Sequence, residues 1–326
     1  MVQIPDNNAR EFLNQTAWSN AGCESLTGDA SPRKYFRLRR HQQNVILMDA
    51  SLAGESVAPF IQINQHLHQL GFSVPTILAR DDKNGFLLLE DFGNDTFSRL
   101  LDSKGDAEKL YTLATDVLLA LHRHPQAVPT GLRAYHPEKM LADLELFLEW
   151  CTPTISDAGK TEFRTVWREV LPVAHHVPAS LLLRDYHVAN LMLLPDRDGV
   201  RQAGLLDFQD AYQGPITYDL MSLLEDARRD VPDDLREKLA ARYLARSPAL
   251  DRKAFETSLA ILAALRHTRV LAIFERLSRH EKKHDYKQLH SPRVKRLLQR
   301  ALRHPGLAGV KQWMERYATL EETICL

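Results

Sequence analysis

Residues 181–194 read LLLRDYHVANLMLL, and residues 205–210 read LLDFQD. Apolar runs of this length, bounded by turn formers, predict buried strands. Asp185 and Asn190 lie in the polar break between the first two runs, and Asp207 closes the third. Between the second and third runs stands PDRDGVRQA (195–203), rich in turn residues, so 191–194 and 203–206 are expected to pair as a hairpin. A register that sets Leu194 opposite Ala203 also sets Asn190 opposite Asp207. An acid, an amide and a second acid then meet at one end of the hairpin. That trio suits phosphoryl transfer. One carboxylate, Asp185, orients and deprotonates a hydroxyl, while Asn190 and Asp207 hold Mg²⁺ against nucleotide phosphates.

The pattern Asp185-x₄-Asn190 followed by Asp207-Phe208 resembles the catalytic and metal-binding loops of kinases. More closely, the chain resembles the aminoglycoside phosphotransferase family of small-molecule kinases. The likeness covers nearly the whole chain and rests on DASPRKYFRL (29–38), VILMDA (45–50), LRDYHVANLM (183–192), LLDFQDA (205–211) and RVLAIFERL (269–277). Within the family these segments look like the bacterial kinases that phosphorylate N-acetylmuramate and N-acetylglucosamine at the anomeric hydroxyl. The family's commoner catalytic loop begins His-Gly-Asp, whereas this chain has Leu183-Arg184-Asp185, which favours the sugar-kinase branch. The resemblance implies an α+β, bilobal, protein-kinase-like fold. Residues 1–93 would form a small mixed α/β nucleotide-binding lobe ending at a hinge. Residues 94–326 would form a larger, mostly helical lobe for catalysis and substrate binding. The implied cofactors are ATP and Mg²⁺.

Kinases place a glycine-rich loop where a turn joins two strands over the nucleotide. In LTGDASPRKYFRLRR (26–40) only Gly28 remains. The strand NVILMD (44–49) puts Met48 where kinases carry a phosphate-pairing lysine. The phosphates still require a cation, and Arg33, Lys34 and Arg37 are the candidates. A basic strand edge that resists aggregation is the competing reading of each. Residues 57–70 are helically periodic and stop at Gly71; Glu55, just before them, reads as a surface or capping residue. Residues 74–80 and 85–91 form a hairpin about Asn84-Gly85. By resemblance its second strand leads into the hinge, where the backbone of Glu90 to Phe92 would hold adenine and Gly93 would provide the joint.

Downstream, helical periodicity recurs over 107–122, 138–150, 161–171, 233–245, 253–278, 292–304 and 309–320. Asp219, in Tyr218-Asp219-Leu220, is expected to brace the catalytic loop rather than touch substrate, and it is also placed to cap its own helix, with Gly214 and Pro215 breaking the strand before it. Residues 276–303 hold ten Lys or Arg against Glu281 and Asp285 and read as a solvated helix surface.

Hydrophobic content of 44% and charged content of 26% are those of a globular protein, and the formal net charge is zero. No global field therefore attracts nucleic acid or a membrane. Cys23, Cys151 and Cys325 are too scattered for a disulfide framework or a zinc site. The N-terminus lacks the basic-then-apolar order of a signal peptide, and the apolar run 259–265 is too short to span a bilayer. The expectation is a cytoplasmic monomer acting on a small sugar, with no nucleic-acid or membrane partner. Aminoglycoside, choline and homoserine-like acceptors stay open. So does a nucleotide-binding protein that has lost catalysis, favoured by the missing glycines and lysine and opposed by the intact Asp185, Asn190 and Asp207.

Overall fold

The computed structural model describes residues 7–26, 33–51, 56–280 and 284–318; Gly28, Glu55 and Cys325 lie outside them. In chain order the elements begin with α1 (Asn7–Asn14), β1 (Gly22–Leu26), β2 (Lys34–Arg40), β3 (Gln43–Asp49), α2 (Ala58–Gln69), β4 (Ile77–Asp81) and β5 (Phe86–Glu90). Next come α3 (Phe97–Asp102), α4 (Ala107–Arg123), α5 (Pro137–Trp150), α6 (Asp157–Val170), β6 (Ala179–Leu182), β7 (Leu191–Leu193), β8 (Ala203–Leu205) and β9 (Tyr212–Pro215). The helices α7 (Thr217–Leu224), α8 (Asp233–Ala245), α9 (Arg252–His280), α10 (His284–Ala301) and α11 (Ala308–Tyr317) complete the chain. These elements form two compact units, Met1–Gly105 with Val188–Asp210, and Asp106–His187 with Ala211–Leu326.

The first unit is built on an antiparallel sheet of order β1-β2-β3-β5-β4. Alternation along the strands sends Phe36, Leu38, Val45, Leu47, Phe86 and Leu88 to one face, where Ala9, Phe12 and Leu13 of α1 cover them. By the same alternation Tyr35, Arg37, Ile46, Met48, Leu87 and Leu89 take the opposite face. The β2–β3 turn is only two residues long and holds His41 at φ 54, the left-handed geometry that tight hairpins demand. Helix α2 ends where the sequence places its stop, at Gly71 with φ 84.

The β7–β8 hairpin belongs to this unit through isolated bridges from Ser73 to Gly204 and from Thr96 to Met192. Its register pairs Leu193 with Ala203, Met192 with Gly204 and Leu191 with Leu205. That is one residue away from the expected pairing of Leu194 with Ala203. Leu194 N donates to Gln202 O at 2.8 Å, so Leu194 faces Gln202 and the same register continues one pair beyond the two strands. The sequence also read Gly214 and Pro215 as the end of a strand. Instead residues 212–215 are themselves a strand, antiparallel to β6, with Ala179 paired to Pro215 and Leu182 to Tyr212. Pro215 is tolerated because it is terminal in the ladder.

The second unit is mostly helical. Asp106 and Ser156 cap α4 and α6 by accepting from the backbone N–H of Lys109 (3.0 Å) and Gly159 (3.2 Å). Helix α9 is its axis, buried on several sides at Phe255, Leu262, Leu265, Thr268, Leu271 and Leu277. Among the described residues it is long and apolar enough to cross a membrane, unlike the short 259–265 run considered alone, but 72% of its apolar window is buried within the protein. A helix apolar all round is the signature of a core helix as well as of a membrane span.

Candidate active site

The polar breaks after β6 and after β8 are shaped by their backbone. Arg184 adopts φ 70 and Asp207 φ 59, left-handed values that cost a non-glycine residue of order 1–3 kcal/mol and persist where surrounding contacts enforce them. Around Asp207 the contacts are clear. Asn190 Nδ2 donates to Asp207 Oδ2 at 3.3 Å, Gln209 Nε2 donates to Asp207 Oδ1 at 2.8 Å, and Leu206 N donates to Asn190 O at 3.0 Å. The expected pairing of Asn190 with Asp207 is thus met by side chains although the strand register differs. The following Phe208 is buried and stacks on Phe60 of α2 with centroids 5.0 Å apart, which anchors the Asp207 turn.

Among the described residues no group of three or more His, Cys, Asp or Glu side chains could hold a metal unaided. The amide oxygen of Asn190 and the carboxylate of Asp207 are hard oxygen donors. They fit Mg²⁺, which takes one or two protein ligands and draws the rest from water and phosphate.

Asp185 stands in the second unit, with Arg266 Nη1 4.0 Å from its Oδ1. Burial pushes its carboxyl up, but the charges of Arg266, Arg269 and Arg184 together hold it below the ordinary aspartate range. It is therefore ionised and ready to accept a proton near neutrality. His187 is uncharged there, because burial lowers its imidazole to about 4. The loop carrying Asp185 is braced by Asp219, fully buried in α7, which accepts from Leu183 N at 2.6 Å and Arg184 N at 3.0 Å. Of the two roles anticipated for Asp219, bracing is the one it has; the N-cap of α7 is Ile216. Burial raises the Asp219 carboxyl to about 7 against those two donors.

Arg184 points away from Asp185 into an aromatic nest. Its guanidinium lies 4.5 Å from the Tyr135 ring centroid and 5.0 Å from that of Tyr212, and its Nη2 reaches Asp143 Oδ2 at 3.3 Å. The Tyr135 hydroxyl donates to the same Asp143 oxygen at 2.8 Å, and Lys139 pairs with the other oxygen. Asp143, Arg266 and Tyr135 carry no motif of their own and lie too far along the chain from Asp185 to be associated with it from sequence.

The residues expected to meet the nucleotide divide. Arg37, on the face opposite α1, pairs through Nε with Asp91 Oδ2 at 2.6 Å and through Nη2 with Asp91 Oδ1 at 2.9 Å; it also donates to Asn94 Oδ1 (2.6 Å) and Gly93 O (2.8 Å). Its charge thus fastens β2 to residues 91–94. Lys34 is exposed and Arg33 half-buried. Met48 is fully buried, opposite Tyr35 on β2 and Leu87 on β5. Burial, and next to it the charge of Asp207, push the Tyr35 hydroxyl up to about 12. The strand position across from Met48 therefore lies within reach of the field of the Asp207 carboxylate, a placement nothing in the sequence signalled. Glu90 accepts from Thr76 Oγ1 at 2.8 Å and from Arg197 Nη2 at 2.6 Å. Arg197 also covers the Phe92 ring at 5.1 Å. A Cβ on Gly204 would come within 2.7 Å of that ring, so only glycine fits beneath it.

Residues 22–255 match the family model of the phosphotransferase enzymes. The chain belongs to that family. The N-acetylmuramate/N-acetylglucosamine kinase of Caulobacter vibrioides is 34% identical over 95% of this chain and 96% of its own. Among solved structures, a choline/ethanolamine kinase family protein from Mesorhizobium loti superposes with a TM-score of 0.66 at 15% identity, covering 95% of this chain and 99% of that one. The GDP and kanamycin complex of APH(2")-IIia gives 0.64 at 14%, covering 92% and 100%. At such identities these neighbours speak for the fold alone, which is that of the kinase-like phosphotransferases.

Proposed function

We propose that this phosphotransferase moves the γ-phosphoryl group of ATP to the anomeric hydroxyl of N-acetylmuramate or N-acetylglucosamine, as a cytoplasmic monomer in the recycling of cell-wall sugars. The observation that carries the reading is the 34% identity, over nearly the full length of both chains, to the Caulobacter kinase named for those two sugars. In this reading residues 1–93 bind the nucleotide and 94–326 carry the catalytic base and the acceptor.

Asp185 is the base. Its depressed carboxyl makes it a weak one, and a weak base is best matched to an acidic proton. A hemiacetal hydroxyl is several orders of magnitude more acidic than an ordinary alcohol, so the anomeric position suits Asp185 better than a primary hydroxyl does. Asn190 and Asp207 are the residues to hold Mg²⁺, which when bound neutralises charge on the phosphate oxygens. Arg33, Lys34 and Arg37 are assigned to the phosphates, Arg37 from a position where it also pairs with Asp91. The backbone of Glu90 to Phe92 is assigned to adenine. The cations acting on Asp185 are Arg266, Arg269 and Arg184. This surround is unsuited to a polycationic aminoglycoside or to choline. The test is phosphorus NMR of the product with a reducing-end assay. A sugar α-1-phosphate that has lost its reducing end supports the reading; a product phosphorylated at C6 with the reducing end intact overturns the anomeric assignment.

A further inference from the structure

The two sugars proposed as acceptors differ in one charged group. N-acetylmuramate carries a lactyl carboxylate on the ring carbon next but one to the anomeric carbon, and N-acetylglucosamine has a hydroxyl there. Four cations act on Asp185 or on Asp143, and three of them are engaged. Lys139 pairs with Asp143. Arg184, with a side chain only 7% exposed, is stacked on Tyr135 and bonded to Asp143 at 3.3 Å. Arg266, equally buried, donates to Arg184 O at 3.2 Å and faces Asp185.

Arg269 is different. Its side chain is 28% exposed, and its ion-pair contact, to Asp143 Oδ2, is 3.9 Å long, beyond hydrogen-bond distance. That oxygen already accepts from Tyr135 and Arg184. Arg266 and Arg269 are three residues apart on α9 and so share a face, with Arg269 about 4.5 Å further along the axis. Its charge acts on both Asp185 and Asp143. Arg269 is thus a partly exposed guanidinium on the α9 face that also carries Arg266 beside Asp185.

We infer that Arg269 reads the carboxylate of N-acetylmuramate and sets the preference of this kinase for that sugar over N-acetylglucosamine. The inference rests on the sugar-kinase reading above. A guanidinium meets a carboxylate through two parallel N–H donors, the strongest neutral-pH match among side-chain pairs, while a ring hydroxyl offers neither the charge nor the fork.

The experiment is steady-state kinetics of the wild type and Arg269→Gln on N-acetylmuramate, its methyl ester and N-acetylglucosamine. The substitution is expected to lower the ratio of kcat/KM for N-acetylmuramate over N-acetylglucosamine by roughly ten- to one-hundred-fold, the worth of a hydrogen-bonded charge, and mainly through KM. Esterification should penalise the wild type by a similar factor and the variant hardly at all, since one lost contact cannot be lost twice. Arg269→Lys should recover part of the preference. Equal losses on both sugars, or an ester penalty that survives in Arg269→Gln, would show that Arg269 only steadies Asp143 and would overturn the inference. A wild type inert towards both sugars overturns the acceptor reading and this inference with it. A wild type active on both with no ester penalty overturns the inference alone.

Discussion

Replacing Asp219 by alanine tests whether the Asp185 loop is held from beneath. Asp219 has no solvent exposure and accepts from the N–H groups of Leu183 and Arg184 at 2.6 and 3.0 Å. Alanine leaves two buried donors without partners, at about 1–3 kcal/mol each. Part of that loss is offset, because burial raises the Asp219 carboxyl to about 7 and alanine removes a poorly solvated group. The net expectation is a loss of about 2–4 kcal/mol of stability. The left-handed Arg184 is then free to relax, and Asp185 is the next residue. A displacement of about 1 Å at a base can lower kcat by about a hundredfold.

Urea unfolding followed by tryptophan fluorescence reads the first quantity, and kcat at saturating substrates the second. Asp219→Asn keeps one acceptor oxygen and should fall between wild type and alanine on both. Its deficit should also depend on pH. A carboxyl whose folded pKa is raised contributes stability that is fully present below its unfolded pKa, near 4, and lost as pH rises through about 7. Asparagine does not titrate, so its deficit should be larger at pH 5 than at pH 8. An alanine variant with an unchanged urea midpoint and unchanged kcat would refute the bracing role.

Other predictions follow from the same geometry. Asp185→Asn should leave nucleotide binding intact while lowering turnover by about 10²–10⁴, the loss for a positioned base; normal turnover would remove Asp185 from that role. Asp207→Ala should weaken Mg²⁺-dependent nucleotide binding measured by calorimetry, and identical Mg²⁺ titrations for variant and wild type would count against it as a ligand. Met48→Lys should not raise kcat and should cost about 3 kcal/mol or more in urea unfolding, because the position is fully buried and an unpaired ammonium there is expensive; a faster enzyme would contradict this. His187, with its imidazole lowered to about 4 by burial, stabilises the fold fully above its unfolded value of about 6.5. That share, about 3 kcal/mol at 1.4 kcal/mol per pH unit, should disappear as pH falls from 6.5 to 4, and His187→Gln should flatten this limb of the stability profile.

The hairpin and its three polar residues are legible in the sequence because apolar runs and turn formers are local signals. The sequence alone misses the register by one residue, since nothing local decides whether Gln202 or Ala203 closes the hairpin opposite Leu194. It missed β9 because Gly214 and Pro215 oppose strand formation unless a partner such as β6 is already in place. The pairing of Arg37 with Asp91 was not legible for a similar reason: Asp91 is 54 residues away, and a cation's counter-ion is invisible without the fold. The same holds for the basic surface of α10. Arg293, Arg296 and Arg300 pair with Asp230, Glu225 and Asp233, so what reads as a run of positive charge is a row of ion pairs.

The hairpin's membership in the N-terminal unit has a consequence for how the protein is made. Ser73 donates its hydroxyl to the carbonyl of Arg201 at 2.6 Å, across 128 residues of chain. A ribosome adding roughly 5–20 residues each second needs roughly 6–25 s to travel that distance. Throughout that interval the first sheet is complete in its strands, yet Phe60 lacks Phe208 and the backbone of Ser73 lacks Gly204 and Leu205. The earliest part of the protein to leave the ribosome is thus among the last to be finished. Until the hairpin is made, Phe60 and the backbone of Ser73 wait for these partners.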